Sequence, residues 1–128
     1  MHEFGIAKAL VENVEAEAAK QNASVVSEVV VDIGELSFVG ETQLKFAYDV
    51  ITREIEALAK SKLVIQTVKA EVSCESCGYT GGLKNYDDPA THFITPVFAC
   101  PSCGGKITII KGRECTIRTI RMMVEDDV

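Results

Sequence analysis

Two copies of one short pattern constrain this chain more than anything else in it: Cys74-Glu-Ser-Cys77-Gly78 and Cys100-Pro-Ser-Cys103-Gly104. Two residues between cysteines let both sulfurs point into a single tight turn. The glycine that follows permits the left-handed backbone that turns amides toward sulfur. Two such turns supply four sulfurs at the corners of a tetrahedron, the geometry of a closed structural zinc site. A rubredoxin-like iron centre uses the same donors, whereas a redox dithiol needs one pair rather than two. The spacer between the pairs is 22 residues, slightly longer than the roughly 15–20 common in such sites. Four thiolates fill the shell, so the site is structural and leaves no open position for catalysis. Five cysteines, an odd number, fit a metal site in a reducing compartment better than a disulfide framework. The opening residues lack a charged segment followed by an apolar one, so the expected location is the cytoplasm.

Residues 74–105 collect four of the five cysteines, five of the nine glycines and all three prolines. Such a segment cannot make its own core and needs a staple. The rest of the chain has the periodicities of ordinary elements. Residues 4–19 predict a helix, with Ile6, Leu10 and Val14 four apart and Ala7, Val11 and Ala18 widening the stripe. Residues 25–33 predict a strand rich in β-branched residues, with Val25, Val29, Val31 and Ile33 on one face. A loop over 34–41 leads to a second helix over about 42–59, with Thr42 as candidate N-cap. Strands follow over 63–72, 106–110 and 114–123, with Lys111-Gly112 as a turn, and the tail Glu125-Asp126-Asp127 is acidic. The expected fold is therefore α/β: two helices packed on a small three-stranded sheet, with an inserted four-cysteine zinc-binding module. The expected division is a discontinuous α/β domain, 1–72 with 106–128, around a module over 73–105.

Composition narrows the functional classes. With 128 residues, 47% hydrophobic and 25% charged, the chain suits one soluble folded core and excludes wholesale disorder. No apolar run approaches the ~20 residues that span a bilayer. A net charge of −6 weighs against phosphate backbones and anionic membranes as partners. A zinc-ribbon nucleic-acid module is the rival class, supported by Lys106, Lys111, Arg113, Arg118 and Arg121. A metal-dependent enzyme is the third, but no Gly-rich phosphate loop and no histidine-rich cluster support it.

Three further residues or groups carry chemistry. Cys115, in an alternating strand, is expected to be a small buried apolar residue. His92, in Thr91-His92-Phe93 of the insert, is either a solvated loop histidine or a supplementary metal ligand. Met1-His2-Glu3 either simply opens the first helix, with Glu3 favouring its positive end, or does more. A free α-amine, the backbone nitrogen of His2 and its imidazole close two fused chelate rings on one metal. Anionic amide nitrogen suits square-planar Ni(II) or Cu(II).

Taken together these features resemble the HypA/HybF family of hydrogenase maturation nickel metallochaperones. The resemblance covers essentially the whole chain. It rests on Met1-His2-Glu3 opening a helix, Ile33-Gly34-Glu35-Leu36-Ser37 after the first strand, Phe46-Ala47-Tyr48 in the second helix, and the two Cys-x-x-Cys-Gly turns. It implies a nickel-binding α/β domain and a zinc-binding domain. It implies a non-enzymatic carrier that delivers Ni(II), with a HypB-type GTPase, to the large subunit of [NiFe]-hydrogenase, some members also serving urease. By the same resemblance His2 is the nickel ligand, with Met1 and Glu3 contributing through backbone or side chain and His92 as a further candidate donor. Cys74, Cys77, Cys100 and Cys103 are the zinc ligands. Some bacterial members carry histidines immediately after the cysteine pairs; here Gly78 and Gly104 stand there. No imidazole is therefore adjacent to exchange with a thiolate.

Overall fold

A computed structural model describes residues 3–87, 89–90 and 94–124. The candidate ligands Met1, His2 and His92, and the acidic tail, lie outside the described residues. In chain order the elements are α1 (Glu3–Lys20), β1 (Ala23–Gly34), a 3-10 turn (Glu35–Ser37), α2 (Glu41–Thr52), β2 (Lys62–Val68), β3 (Glu71–Cys74), β4 (Thr80–Gly81), β5 (Asn85–Asp87), β6 (Ile94–Pro96), β7 (Ile107–Lys111) and β8 (Cys115–Val124). They group into two units.

The first unit comprises Met1–Asp32, Phe38–Gln66 and Cys115–Val128. It holds the two helices and a three-stranded sheet in the order β2-β1-β8. The helices pack on each other. Leu10, Val11 and Val14 of α1 and Leu44, Ala47 and Tyr48 of α2 are all buried. This is the stripe that a 3.6-residue period places on one helix face. Val26, Val29 and Val31 of β1 are fully buried. Val25, expected on their face, is 38% exposed, and Val26 is buried instead. The Val26 N–H donates to the Ala57 carbonyl at 2.8 Å, so this end of the strand is drawn to the segment after α2. Between β1 and β8, Ser27 Oγ donates to the Arg121 carbonyl and Arg118 Nε to the Asp32 carboxylate at 3.1 Å. Position rises on one strand as it falls on the other, so the pair is antiparallel.

α2 is shorter than its apolar spacing predicts. It ends at Thr52, whose hydroxyl donates to the Tyr48 carbonyl at 2.8 Å. From there Ile55, Leu58 and Ser61 donate their N–H to the residue three before, at 2.9–3.0 Å. Leu58 is still fully buried. A three-residue step suits a succession of tight turns as well as a helix, so the apolar pattern persists while the helix does not. Its first turn also differs: the N-cap is Gly40, without a side-chain cap, rather than Thr42.

The second unit comprises Ile33–Ser37 and Thr67–Glu114. The 73–105 segment lies inside it. A three-stranded sheet β4-β3-β7 and the ribbon β5-β6 build it. β3 runs antiparallel to both neighbours, pairing Val72 with Gly81 and with Ile109. The single strand predicted over 63–72 is thus two, β2 and β3, in different sheets, parted at Lys69-Ala70. Lys111-Gly112 likewise makes no hairpin, because β7 pairs with β3 and β8 with β1. No helix among the described residues is long and apolar enough to cross a membrane.

Candidate metal centre

Each Cys-x-x-Cys segment folds into the same knuckle. In the first, β3 delivers Cys74, and the chain reverses so that Gly78 N–H donates to the Cys74 carbonyl at 2.9 Å. Cys74 N–H in turn donates to the Tyr79 carbonyl at 2.9 Å. The second repeats both bonds, Gly104 to Cys100 at 2.8 Å and Cys100 to Gly105 at 3.0 Å. Gly78 and Gly104 sit at φ +78° and +74°. Neither would meet another atom within 4 Å if a Cβ were added. Backbone conformation, not crowding, is why glycine stands there. The amides do turn toward sulfur: Cys103 N–H points at Cys100 Sγ and Gly105 N–H at Cys103 Sγ, both at 3.4 Å.

The two knuckles bring the four sulfurs together. Cys74 and Cys103 Sγ are 3.6 Å apart, Cys77 and Cys100 Sγ 3.5 Å, and all four lie within 4.8 Å of one another. Four sulfurs at ~2.3 Å from a central ion would be ~3.8 Å apart. The donor set therefore fits a thiolate-bound tetrahedral ion. Cys74 and Cys100 are buried, whereas Cys77 and Cys103 face solvent.

Their acidities express the same crowding. The Cys77 N–H bond leads in holding the Cys74 thiol below its ordinary value. Burial opposes ionisation of Cys100, but the Cys103 and Ser102 N–H groups and neighbouring thiols outweigh it, bringing the group down to about 6. Cys103 gains from the Gly105 N–H, yet the three surrounding sulfurs push it up to about 12. Four adjacent sulfurs do not all ionise without a cation between them, because each thiolate raises the cost of the next. A bound dication reverses that balance.

Cys115 takes no part in this cluster and is exposed, correcting the expectation of burial. It opens the edge strand β8, most of whose side chains are exposed or half-buried. Glu3 begins α1 half-buried, and its Oε2 accepts the Gly40 N–H at 3.0 Å. Beside it Phe4 and Phe46 meet edge to face, ring centroids 6.4 Å apart at 84°. Neither contact was legible in the sequence, since each joins residues 37 or more apart with no shared motif.

Comparison with known proteins gives one consistent answer. A family model described as hydrogenase/urease nickel incorporation, metallochaperone, hypA matches residues 1–122. A hydrogenase maturation factor HypA of Methanothermobacter thermautotrophicus is 37% identical over 98% of this chain and 100% of its own length. That of Pyrococcus furiosus is 33% identical over 99% of both. Among solved structures, the Ni metallochaperone HypA from Helicobacter pylori superposes with a TM-score of 0.68 at 25% identity. That superposition covers 98% of this chain and all of the other.

Proposed function

Because the chain belongs to the HypA family of nickel metallochaperones, we propose that it binds Ni(II) at its N-terminus and delivers it for the maturation of [NiFe]-hydrogenase. This is a carrier family and not an enzyme family. The observation that carries the reading is the family match, which begins at residue 1 and so includes Met1-His2-Glu3. The donors are the α-amine of Met1, the backbone nitrogen and imidazole of His2, and a fourth from Glu3 or His92. Such a set at a chain terminus has few packing constraints, and its ligands exchange readily, as transfer requires. The α/β portion, 1–72 with 106–128, is the nickel-binding domain in this reading, and 73–105 the zinc-binding one.

Cys74, Cys77, Cys100 and Cys103 hold Zn(II). Zinc in such a closed shell supplies folding energy to a segment short of apolar side chains. The partners are a HypB-type GTPase and the hydrogenase large subunit, in the cytoplasm, where thiols stay reduced. Neither nucleic acid nor a membrane is a partner. Of the five basic residues that favoured a nucleic-acid module, Lys111 is paired with Glu71 at 3.3 Å and Arg118 with Asp32 at 3.1 Å. Zinc bound to four thiolates also adds negative charge to a chain already at −6.

The test is nickel titration calorimetry with elemental analysis on untagged protein. His2→Ala abolishes specific nickel binding and leaves zinc in place. An N-terminal extension, which converts the amine to an amide, weakens nickel binding although His2 remains. Copper binds the same nitrogen donors more tightly than nickel. Unchanged nickel affinity in both the extended protein and His2→Ala would place the site elsewhere and overturn the reading.

A further inference from the structure

The N–H group of Gly40 is an orphan by position. It stands at the N-cap of α2, where the side chain three residues into the helix often reaches back to satisfy it. Gln43 occupies that position, and its side chain lies over Gly40. The N–H is nevertheless taken by another helix, donating to Glu3 Oε2 of α1 at 3.0 Å. The carboxylate therefore sits at the start of two helices at once, its own and α2, where the positive ends of both dipoles favour it. One residue on, the edge-to-face pair of Phe4 and Phe46 joins the first turn of α1 to the middle of α2.

We infer that Glu3 is a positioning residue for the N-terminal metal site: its carboxylate, bound to the Gly40 N–H, anchors the chain at residue 3, and it does not itself coordinate the ion. This inference rests on the nickel reading above. The donors of that reading are the α-amine and the nitrogens of residue 2, one peptide bond away, and the backbone nitrogen of Glu3 stays available whatever its side chain does. Fixing residue 3 reduces the conformations that the chelating atoms must give up on binding, which raises affinity without adding a contact. Gly40 supplies no atom to the proposed donor set, yet its N–H is half of the anchor, and so it separates positioning from ligation.

Gly40 has φ −70°, a value proline shares. Gly40→Pro therefore deletes the N–H at an angle the backbone already holds; its Cβ displaces the flexible end of Gln43, and its ring carbon on nitrogen takes the place of the bond to the Glu3 carboxylate. Gly40→Ala makes the same displacement and keeps the N–H. Nickel affinity is read by calorimetry on untagged protein, and the nickel absorption band reports the donor set. Glu3→Ala and Gly40→Pro each weaken binding by roughly three- to tenfold, with the absorption band unchanged because the donors are. Glu3→Gln, whose amide oxygen still accepts the N–H, recovers most of the loss, and Gly40→Ala keeps it small. Zinc content and helical circular dichroism confirm that each variant is folded. A Glu3→Gln variant as weak as Glu3→Ala, beside an unaffected Gly40→Pro, would make the carboxylate a ligand and overturn the inference. So would Glu3→Ala and Gly40→Pro both binding normally while His2→Ala does not bind. Nickel binding that survives His2→Ala overturns the nickel reading itself, and this inference with it.

Discussion

The side chain of Tyr48 shows how one residue ties the helical core to the segment beyond it. Its ring is fully buried on α2, and its hydroxyl shares a 2.7 Å hydrogen bond with Ser61 Oγ, which donates to the Leu58 carbonyl at 2.6 Å. Burial pushes the phenol above its ordinary value of 10.0, the bond to Ser61 pulling the other way and the Asp49 charge adding to the rise. A raised acid pKa in the folded state means that the unfolded chain loses this proton first as pH climbs. The associated stability is complete below pH 10 and is lost from there upward, toward the folded value. Tyr48→Phe removes the bond and leaves the Ser61 hydroxyl with its Leu58 partner. It should cost about 1 kcal/mol at pH 8. Above pH 10 the wild type should lose stability that the variant keeps, so the two urea midpoints converge. Midpoints that stay equally separated at pH 8 and pH 11 would show that the phenol titrates alike in both states.

Elements were legible in proportion to how local their causes are. α1 follows its apolar stripe to within a residue at each end, because one buried face determines it. The knuckles were legible because cysteine spacing and the following glycine are themselves the geometry. The strand over 63–72 was not, because its division at Lys69-Ala70 depends on partners distant in sequence. Those partners meet where the second unit is closed. Gly34 N–H donates to the Glu114 carbonyl at 2.7 Å, Leu36 N–H to the Gly112 carbonyl at 2.6 Å, and Ala70 N–H to Glu35 Oε2 at 3.0 Å. Glu114 also accepts the Gly112 N–H, a bond that leads in holding its carboxyl below the ordinary range. A Cβ on Gly34 would collide with the Gly112 carbonyl, which is backbone and has no rotamer to change. Gly34→Ala should therefore cost at least about 1–3 kcal/mol. Glu35→Ala, which leaves the Ala70 N–H to water, should cost nearer 1–2 kcal/mol. Thermal denaturation of the metal-loaded protein ranks the two. A Gly34→Ala variant as stable as wild type would mean that the backbone separates there without cost.

The molecule as a whole divides its sources of stability. One unit buries Leu44, Tyr48, Leu58, Val11 and Val14 of α1 and Val26, Val29 and Val31 of β1 in an apolar core. Among the residues whose burial is described, the other has Ala70 and Val72 as its buried side chains beyond Leu36, Ile33 and the two cysteines, and much of its described length is turn. Apolar burial of that size does not offset the ordering of so many residues. A thiolate-bound dication supplies ~10–16 kcal/mol at neutral pH in zinc-finger peptides, which is ample. Loss of the ion should therefore act on one unit alone. Cys77→Ser, or a strong chelator applied to wild type, should release the metal and abolish amide protection at Gly78, Tyr79, Gly104 and Gly105. Protection in α1, α2 and the middle of β1 should persist. Hydrogen exchange resolved by residue separates the cases, and elemental analysis establishes that the ion has left. If protection across 74–105 survived complete metal removal, the knuckles would be held by their backbone bonds, and the four sulfurs would serve the metal without folding depending on it. If α1 and α2 lost protection at the same chelator concentration, the two units would unfold as one, and the separate cores described above would not be separate in stability.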